Sequence, residues 1–184
     1  MAKCATIEKT EKLEMKHFSS KESKEHVFSE VEKFLVLKDI QISGKDQNRP
    51  WGGFFLIDDL SLDRFISSFF SQAKLNRQES NTMLSPKVLL VQPGKRLSWQ
   101  YHNLRSEVWS VISGSVGVIM SDTDKQGDVT DHKTGTTIYV KQGERHRLIG
   151  LKEWGIIAEI WQHNNPSAPS SEEDIVRLED DFGR

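Results

Sequence analysis

Residues 100–107 read QYHNLRSE and contain three side chains that can bind a metal ion. Side chains on a β-strand alternate between its two faces, so Gln100 and His102 share a face. Glu107 opens the next predicted strand, and His146 follows a glycine turn further along the chain. If these four side chains converge, they form a site for a divalent metal inside a β-structure.

The predicted ligands mix nitrogen and oxygen donors. Two imidazoles, a carboxylate and an amide oxygen suit zinc, iron, cobalt or manganese, and the residue types alone do not choose among these metals. Structural zinc sites are commonly rich in cysteine, so this set favours an open site with positions left for water or substrate. A histidine that is merely hydrogen bonded within the fold is the other interpretation, and we apply it to His17, His26, His132 and His163.

The chain around this stretch predicts a mainly β fold. Short apolar segments separated by glycine and proline turns indicate a sandwich or barrel. The series does not occur twice, which predicts a single barrel. The predicted strands cover residues 54–57, 88–91, 97–102, 108–113, 116–120, 136–140, 147–149 and 156–162.

Helical additions are predicted at the N-terminal side. Residues 1–22 are charged and lack periodicity, which predicts a flexible tail. Residues 23–48 hold an amphipathic helix of about four turns and a polar loop at 44–48. The apolar stripe of this helix covers either an open face of the barrel, which we favour, or a second copy in a homodimer. Ser61 is predicted to cap a second, phenylalanine-rich helix.

Composition limits the possible partners and location. The 184 residues suit one domain with an appendage, and the net charge of −2 gives no basic surface for nucleic acid. The single cysteine, Cys4, fits a reducing compartment. The sequence contains neither an apolar run long enough to span a membrane nor a signal-peptide core, so we expect a cytoplasmic protein.

The spacing of glycines and ligands resembles the two motifs of the cupin superfamily. The first motif runs from Gly94 to Gly114, with Gln100 in place of its first histidine. The second surrounds His146 and departs further, since Lys141 replaces its usual proline. The resemblance implies a double-stranded β-helix, or jelly-roll, barrel with a metal inside.

Five segments resemble the cupin domain of type II mannose-6-phosphate isomerases. The resemblance spans roughly residues 49–184, which we take as the cupin domain with a docked C-terminal tail. It implies a metal, zinc first, and conversion of mannose 6-phosphate to fructose 6-phosphate. The segments are RPWG at 49–52, PGKRLS at 93–98, QYH at 100–102, RSEVW at 105–109 and DIVRLEDDFGR at 174–184.

This chain also departs from the family. Many relatives carry the domain behind a nucleotidyltransferase that makes GDP-mannose, and the sequence holds no glycine-rich nucleotide loop, so we expect that activity to be absent. Val108 and Asn103 stand where further histidines are common. Residues 60–85 are an insertion relative to the family pattern. These changes affect the expected substrate more than the expected metal.

The implied reaction needs a group that moves a proton between two carbons through a cis-enediolate. Glu159, on an otherwise apolar strand, and Lys95, after a turn, are the candidates. The phosphate needs cations, and arginine binds oxyanions with two parallel hydrogen bonds. Arg105, in the predicted turn before Glu107, is the first candidate for that role, and we group it with the catalytic residues.

Five further residues are candidates for substrate binding. Three are arginines that offer additional contacts to the phosphate, and two are tryptophans that either line the sugar pocket or belong to the core. They are Arg49, Arg177, Arg184, Trp51 and Trp109.

Two other functions stay open. A non-catalytic cupin that binds a sugar or sugar nucleotide is the main alternative. A cupin epimerase or dioxygenase is the third possibility, although dioxygenases commonly use more imidazole ligands than this set provides.

Overall fold

The computed structural model describes residues 13–75 and 83–183. Within these ranges, strands dominate and form two antiparallel sheets. The elements are α1 Lys24–Leu37, β1 Ile42–Asp46, β2 Gly52–Ile57, α2 Leu62–Phe69, β3 Leu84–Val91, β4 Trp99–His102, β5 Arg105–Ser113, β6 Ser115–Ser121, β7 Thr130–Lys133, β8 Thr137–Val140, β9 Arg145–Gly150, β10 Gly155–His163 and β11 Ile175–Glu179.

The larger sheet has the order β1-β2-β3-β10-β5-β8, and the smaller has the order β11-β4-β9-β6-β7. An apolar core fills the space between them, with Leu89, Trp109 and Ile157 from the larger sheet and Val118 and Leu148 from the smaller. The arrangement confirms the mainly β, jelly-roll prediction. The sheets do not close into one continuous barrel, however, so the expected closed barrel is better described as two facing sheets.

Strand β10 lies in the middle of the larger sheet, and all nine of its residues are buried. Alternation explains this pattern, because Ile156 and Ile160 face the outer cluster while Ile157 faces the inner core. Glu159 occupies the inner face of the same strand and lines a cleft between the sheets. A carboxyl group at that position is therefore expensive to bury unless it has a role or partners.

The outer face of the larger sheet is covered by the two helices. Ser23 caps the N-terminus of helix α1, because its hydroxyl accepts a hydrogen bond from the His26 amide at 3.2 Å. Its apolar stripe, including Val27, Val31 and Leu35, packs in one cluster with residues of β3 and β10. This confirms that the helix covers the protein's own sheet, and the homodimer stays a prediction.

Several local predictions were wrong. Residues 44–46 of the polar loop expected at 44–48 instead belong to β1, the edge strand of the larger sheet, which pairs with the apolar strand β2. The turn before Glu107 lies at residues 103–104, and Arg105 already belongs to β5. Ser61 precedes helix α2, but its hydroxyl accepts from the Gln41 amide at 2.9 Å instead of capping the helix.

The two ends of the chain are tied to the sheets. Phe18 is fully buried, and its carbonyl accepts from the Trp154 amide at 3.1 Å, so the predicted tail packs against the core from Met15 onward. Residues 1–12 lie outside the described part of the chain. At the other end β11 pairs with β4, and Arg96 makes two hydrogen bonds to Asp181 at 2.6 and 2.9 Å.

Gly114 shows why the first motif ends in glycine. Its φ is +72°, and a Cβ there would lie 2.2 Å from the Trp154 carbonyl oxygen. No other residue fits so close an approach in the left-handed conformation. The turn between β5 and β6 therefore depends on this glycine. Among the described residues, no helix is both long and apolar enough to cross a bilayer.

Candidate metal site

The predicted ligands meet where the two sheets face each other. His102 and His146 belong to the smaller sheet, and Glu107 belongs to the larger one. One ligand atom from each of the three lies within 4.8 Å of the others, and all three side chains are buried. Gln100 pairs directly with His146 across β4 and β9, and it lines the same cleft. Its amide oxygen accepts from Ser98 Oγ at 2.6 Å.

The hydrogen bonds of the two imidazoles leave their Nε2 atoms as electron donors. His146 Nδ1 lies 3.0 Å from the Glu144 carbonyl, and His102 Nδ1 lies 3.4 Å from the Asp174 carbonyl. A carbonyl can only accept, so we assign the ring proton to Nδ1 in both residues. This is the usual arrangement for histidines that bind a metal through Nε2.

The Nε2 atom of His146 is buried and has no hydrogen-bond partner among the described residues. Its distance to Glu107 Oε2 is 3.7 Å, and His102 Nε2 lies 3.2 Å from Glu107 Oε1. The unpartnered His146 Nε2 thus converges with the Glu107 carboxylate and with His102 Nε2, which also lies 3.1 Å from an Arg105 guanidinium nitrogen. The residues fit a divalent metal, and the donor types do not select which one.

The pKa shifts agree with this donor set. Burial lowers the pKa of His146 to about 4, although the Glu107 charge opposes the shift, so the ring is neutral near pH 7. Burial alone would raise the pKa of Glu107, but His102 and Arg105 outweigh it and hold that pKa well below its ordinary value. A neutral imidazole at His146 beside an ionised carboxylate at Glu107 matches the forms in which these groups bind metals.

Glu159 lies beside this group and is a different kind of carboxyl. Trp109 Nε1 donates to both Glu159 Oε1 at 3.0 Å and Glu107 Oε2 at 3.1 Å, so one N–H joins the two acids. Burial, followed by the charge of Glu107, raises the pKa of Glu159 to about 8. Two carboxyls with pKa values pushed apart are a common arrangement for proton transfer.

Arg105 is buried and its donors are already used. Its Nε donates to Glu107 Oε1 at 2.8 Å, and one terminal nitrogen lies 3.1 Å from His102 Nε2. The other donates to Ser170 Oγ at 2.8 Å and to the Ser171 carbonyl at 3.1 Å. These contacts favour a role in positioning the ligands over the expected role of holding a phosphate.

The remaining candidates divide between the cleft and the outside. Trp51, Arg49 and Arg177 line the cleft, and Trp109 lies beside it with its ring 5.5 Å from that of His146. Lys95 does not reach the site. It is exposed in the turn before β4, because the turn at Gly94 directs this part of the chain into solvent. Arg184 lies outside the described residues.

Sequence reasoning missed three residues that line the cleft. Lys87, Trp161 and Glu172 come from β3, from β10 and from the segment before β11. Strand alternation could have indicated one of them. Lys87 lies two residues before Leu89 and therefore shares its face, which points into the core, beside a run of apolar residues. Nothing local marks Glu172, whose place depends on how the tail docks.

The fold and the buried histidine–glutamate group define a cupin-type jelly roll. Among solved structures, single-site variants of Bacillus subtilis oxalate decarboxylase superpose on this chain with a TM-score of 0.51. They share 16% and 17% identity with it, and each match covers 73% of this chain and 30% of theirs. At that identity the likeness shows the fold alone.

The chain belongs to the family described as mannose-6-phosphate isomerase C-terminal, whose model matches residues 63–180. The alginate biosynthesis protein AlgA of Pseudomonas aeruginosa is 29% identical, over 81% of this chain and 26% of its own length. The xanthan biosynthesis protein XanB of Xanthomonas campestris is 34% identical, over 74% and 23%. The mannose-1-phosphate guanylyltransferase ManC of Salmonella typhimurium is 26% identical, over 86% and 28%.

This chain therefore spans about a quarter of the length of the curated relatives that it matches. Their names describe alginate biosynthesis, xanthan biosynthesis and mannose-1-phosphate guanylyl transfer. The comparisons establish the family and its carbohydrate context.

Proposed function

We propose that the protein is a metal-dependent aldose–ketose isomerase that converts mannose 6-phosphate to fructose 6-phosphate. The observation that carries the proposal is the shared hydrogen bond at Trp109. It places the Glu159 carboxyl beside the ligand carboxylate of Glu107, within a cleft that cationic side chains line. Metal ligands, a proton-transfer group and cations are the three parts that this reaction requires.

The ligands His102, Glu107 and His146 would hold the metal, with Gln100 as the predicted fourth. Bound there, a divalent ion would supply Lewis-acid polarisation of the two oxygens on C1 and C2 of the sugar. Arg105 keeps Glu107 and His102 in position through its hydrogen bonds. The rigid, buried ligand set then needs little reorganisation when a substrate arrives.

Glu159 is the group that we propose moves the proton. Its carboxylate form takes the proton from C2 of the aldose, giving the cis-enediolate, and returns it to C1 to give the ketose. The hydroxyl proton on O2 passes to O1, so atoms balance without an oxidant or reductant. Trp109 holds the Glu159 carboxyl in place throughout, because its N–H donates to Glu159 Oε1.

The first test is direct. Purified protein is loaded with zinc or cobalt and incubated with mannose 6-phosphate, and fructose 6-phosphate is measured. Turnover supports the proposal, whereas a metal-loaded protein that converts no common hexose or heptose phosphate contradicts it. In that second case the protein is better described by the non-catalytic alternative, a cupin that binds a sugar or sugar nucleotide.

The ligand assignment has its own test. His102→Ala should remove both bound metal, read by elemental analysis, and turnover. His132→Ala, on β7 and away from the cleft, is the matched control and should retain both. Full metal content in His102→Ala would show that the ligands are assigned wrongly, whatever the enzyme's substrate.

A further inference from the structure

One wall of the cleft carries a buried lysine that the reaction outlined above does not use. The side chain of Lys87 is 8% exposed, and its Nζ lies 3.3 Å from the centroid of the Trp161 ring. Glu159 is its direct neighbour across β3 and β10. A lysine kept inside a protein needs an anionic partner, and here that partner is the Glu172 carboxylate at 2.7 Å.

Glu172 differs from the other carboxyl groups of the cleft because its side chain is 52% exposed. Glu107 and Glu159 are fixed on central strands, whereas Glu172 belongs to the short 3-10 helix before β11. When another anion takes its place, Glu172 can leave Lys87 and become solvated, because half of its side chain already contacts water. Lys87 has no such freedom.

Among the described residues, three buried hydrogen-bond donors of the same cleft have no hydrogen-bond partner. They are the Trp161 indole Nε1, the Arg177 Nε and the Arg49 Nε, the last of which lies 2.8 Å from an Asp46 carboxylate oxygen in an ion pair. Buried N–H groups are almost always satisfied by protein, water or a ligand. Open donors next to a lysine indicate a binding site for an oxyanion.

Apart from Arg177, the arginines that line the cleft are already paired. Arg105 is tied to Glu107, and Arg49 forms an ion pair with Asp46 at 2.8 Å. Lys87 and Arg177 are therefore the cations best placed to receive an incoming anion. A phosphate offers more charge and more acceptor atoms than one carboxylate, so it is the stronger partner for this set.

We propose that Lys87, Trp161 and Arg177 form the subsite for the substrate's phosphate. In the absence of phosphate Glu172 forms the ion pair with Lys87, and the bound phosphate replaces it. The identity of the anion as a sugar phosphate rests on the proposed function. The replacement itself is a statement about binding and is measurable without turnover.

The test compares Glu172→Gln with Glu173→Gln in the metal-loaded protein. Glu173 is the adjacent exposed carboxylate and lies outside the cleft, so its variant controls for the lost charge. Inorganic phosphate and mannose 6-phosphate are titrated by calorimetry. Glu172→Gln should bind both about threefold to tenfold more tightly than the wild type, and Glu173→Gln should match the wild type. Equal or weaker binding by Glu172→Gln overturns the proposal.

Lys87 gives the complementary measurement. Lys87→Gln should bind both ligands at least about tenfold more weakly while keeping its metal, and Lys87→Arg should recover part of the loss. Unchanged binding by Lys87→Gln also overturns the proposal. Failure of the subsite and failure of the isomerase proposal give different results. If the variants bind phosphate as described but the protein isomerises no sugar phosphate, the subsite is supported and the isomerase is refuted. If the protein isomerises mannose 6-phosphate and Lys87→Gln leaves turnover unchanged, the isomerase is supported and the subsite is refuted.

Discussion

Replacing Glu159 with glutamine should change how stability depends on pH. The folded protein raises the pKa of this carboxyl from 4.5 to about 8. Between those values the unfolded chain has lost the proton and the folded chain retains it. Stability contributed by a group of this kind is present at low pH and falls as pH rises through that window. Glutamine cannot ionise, so the variant lacks this loss.

The size of the effect follows from the shift. Each unit of pKa difference corresponds to about 1.4 kcal/mol. The free energy of unfolding of the variant, minus that of the wild type, should therefore increase by roughly 4 kcal/mol between pH 4.5 and 8. The neutral amide can still accept from Trp109, which limits other changes. His146, whose pKa is lowered to about 4, contributes an opposite slope at lower pH that is common to both proteins.

The assay is urea unfolding at pH 5, 6, 7 and 8 with a chelator present, because a bound metal would lower the pKa of Glu159. Linear extrapolation gives the free energy of unfolding at each pH. Glu173→Gln serves as the control, since its carboxylate is exposed. Parallel curves for Glu159→Gln and the wild type, or a gap that narrows as pH rises, would refute the reasoning.

Three further substitutions test other contacts. Trp109→Phe removes the N–H shared by two buried carboxyls, so it should destabilise the fold by about 1–3 kcal/mol and lower the melting temperature while metal content is retained. An unchanged melting temperature would contradict the shared hydrogen bond. Gly114→Ala should lower the free energy of unfolding, measured in urea, by more than about 1 kcal/mol. Gly127→Ala should not, because a Cβ there meets only one atom, at 3.6 Å. Equal losses in the two variants would exclude backbone strain as the cause. Phe18→Ala should lower the free energy of unfolding by about 3–5 kcal/mol, because Phe18 is fully buried. Leu13→Ala, at a half-exposed position, should change it little. A small loss in both variants would mean that this segment does not pack against the core.

The group of His102, Glu107 and His146 was predictable because its signals are local. His102 and Glu107 lie close in sequence, strand alternation sets their faces, and glycine spacing located His146. Eight of the eleven described strands were also predictable in approximate position, because apolar runs between turns mark them, whereas β1, β7 and β11 were not predicted as strands. What failed was closure of the barrel, which depends on how the edges of the two sheets meet.

The rest of the site depends on contacts that sequence spacing does not encode. Lys87 and Trp161 meet because β3 pairs with β10 in one particular register, and Glu172 reaches them through the docked tail. Arg105 was placed in a turn because its polar neighbours suggested one, although it begins a buried strand. Lys95 sits in the predicted turn, and only the fold shows that this turn points away from the cleft.

The distribution of ligands over two sheets has a mechanical consequence. Because Glu107 comes from one layer and both histidines from the other, an ion held by the three would act as a clasp between the layers. Binding free energy at such a clasp is also folding free energy. Metal affinity would thus report on how well the two sheets pack together. A core substitution far from the cleft that moves one sheet relative to the other would lower the metal affinity, although it changes none of the three residues that hold the ion.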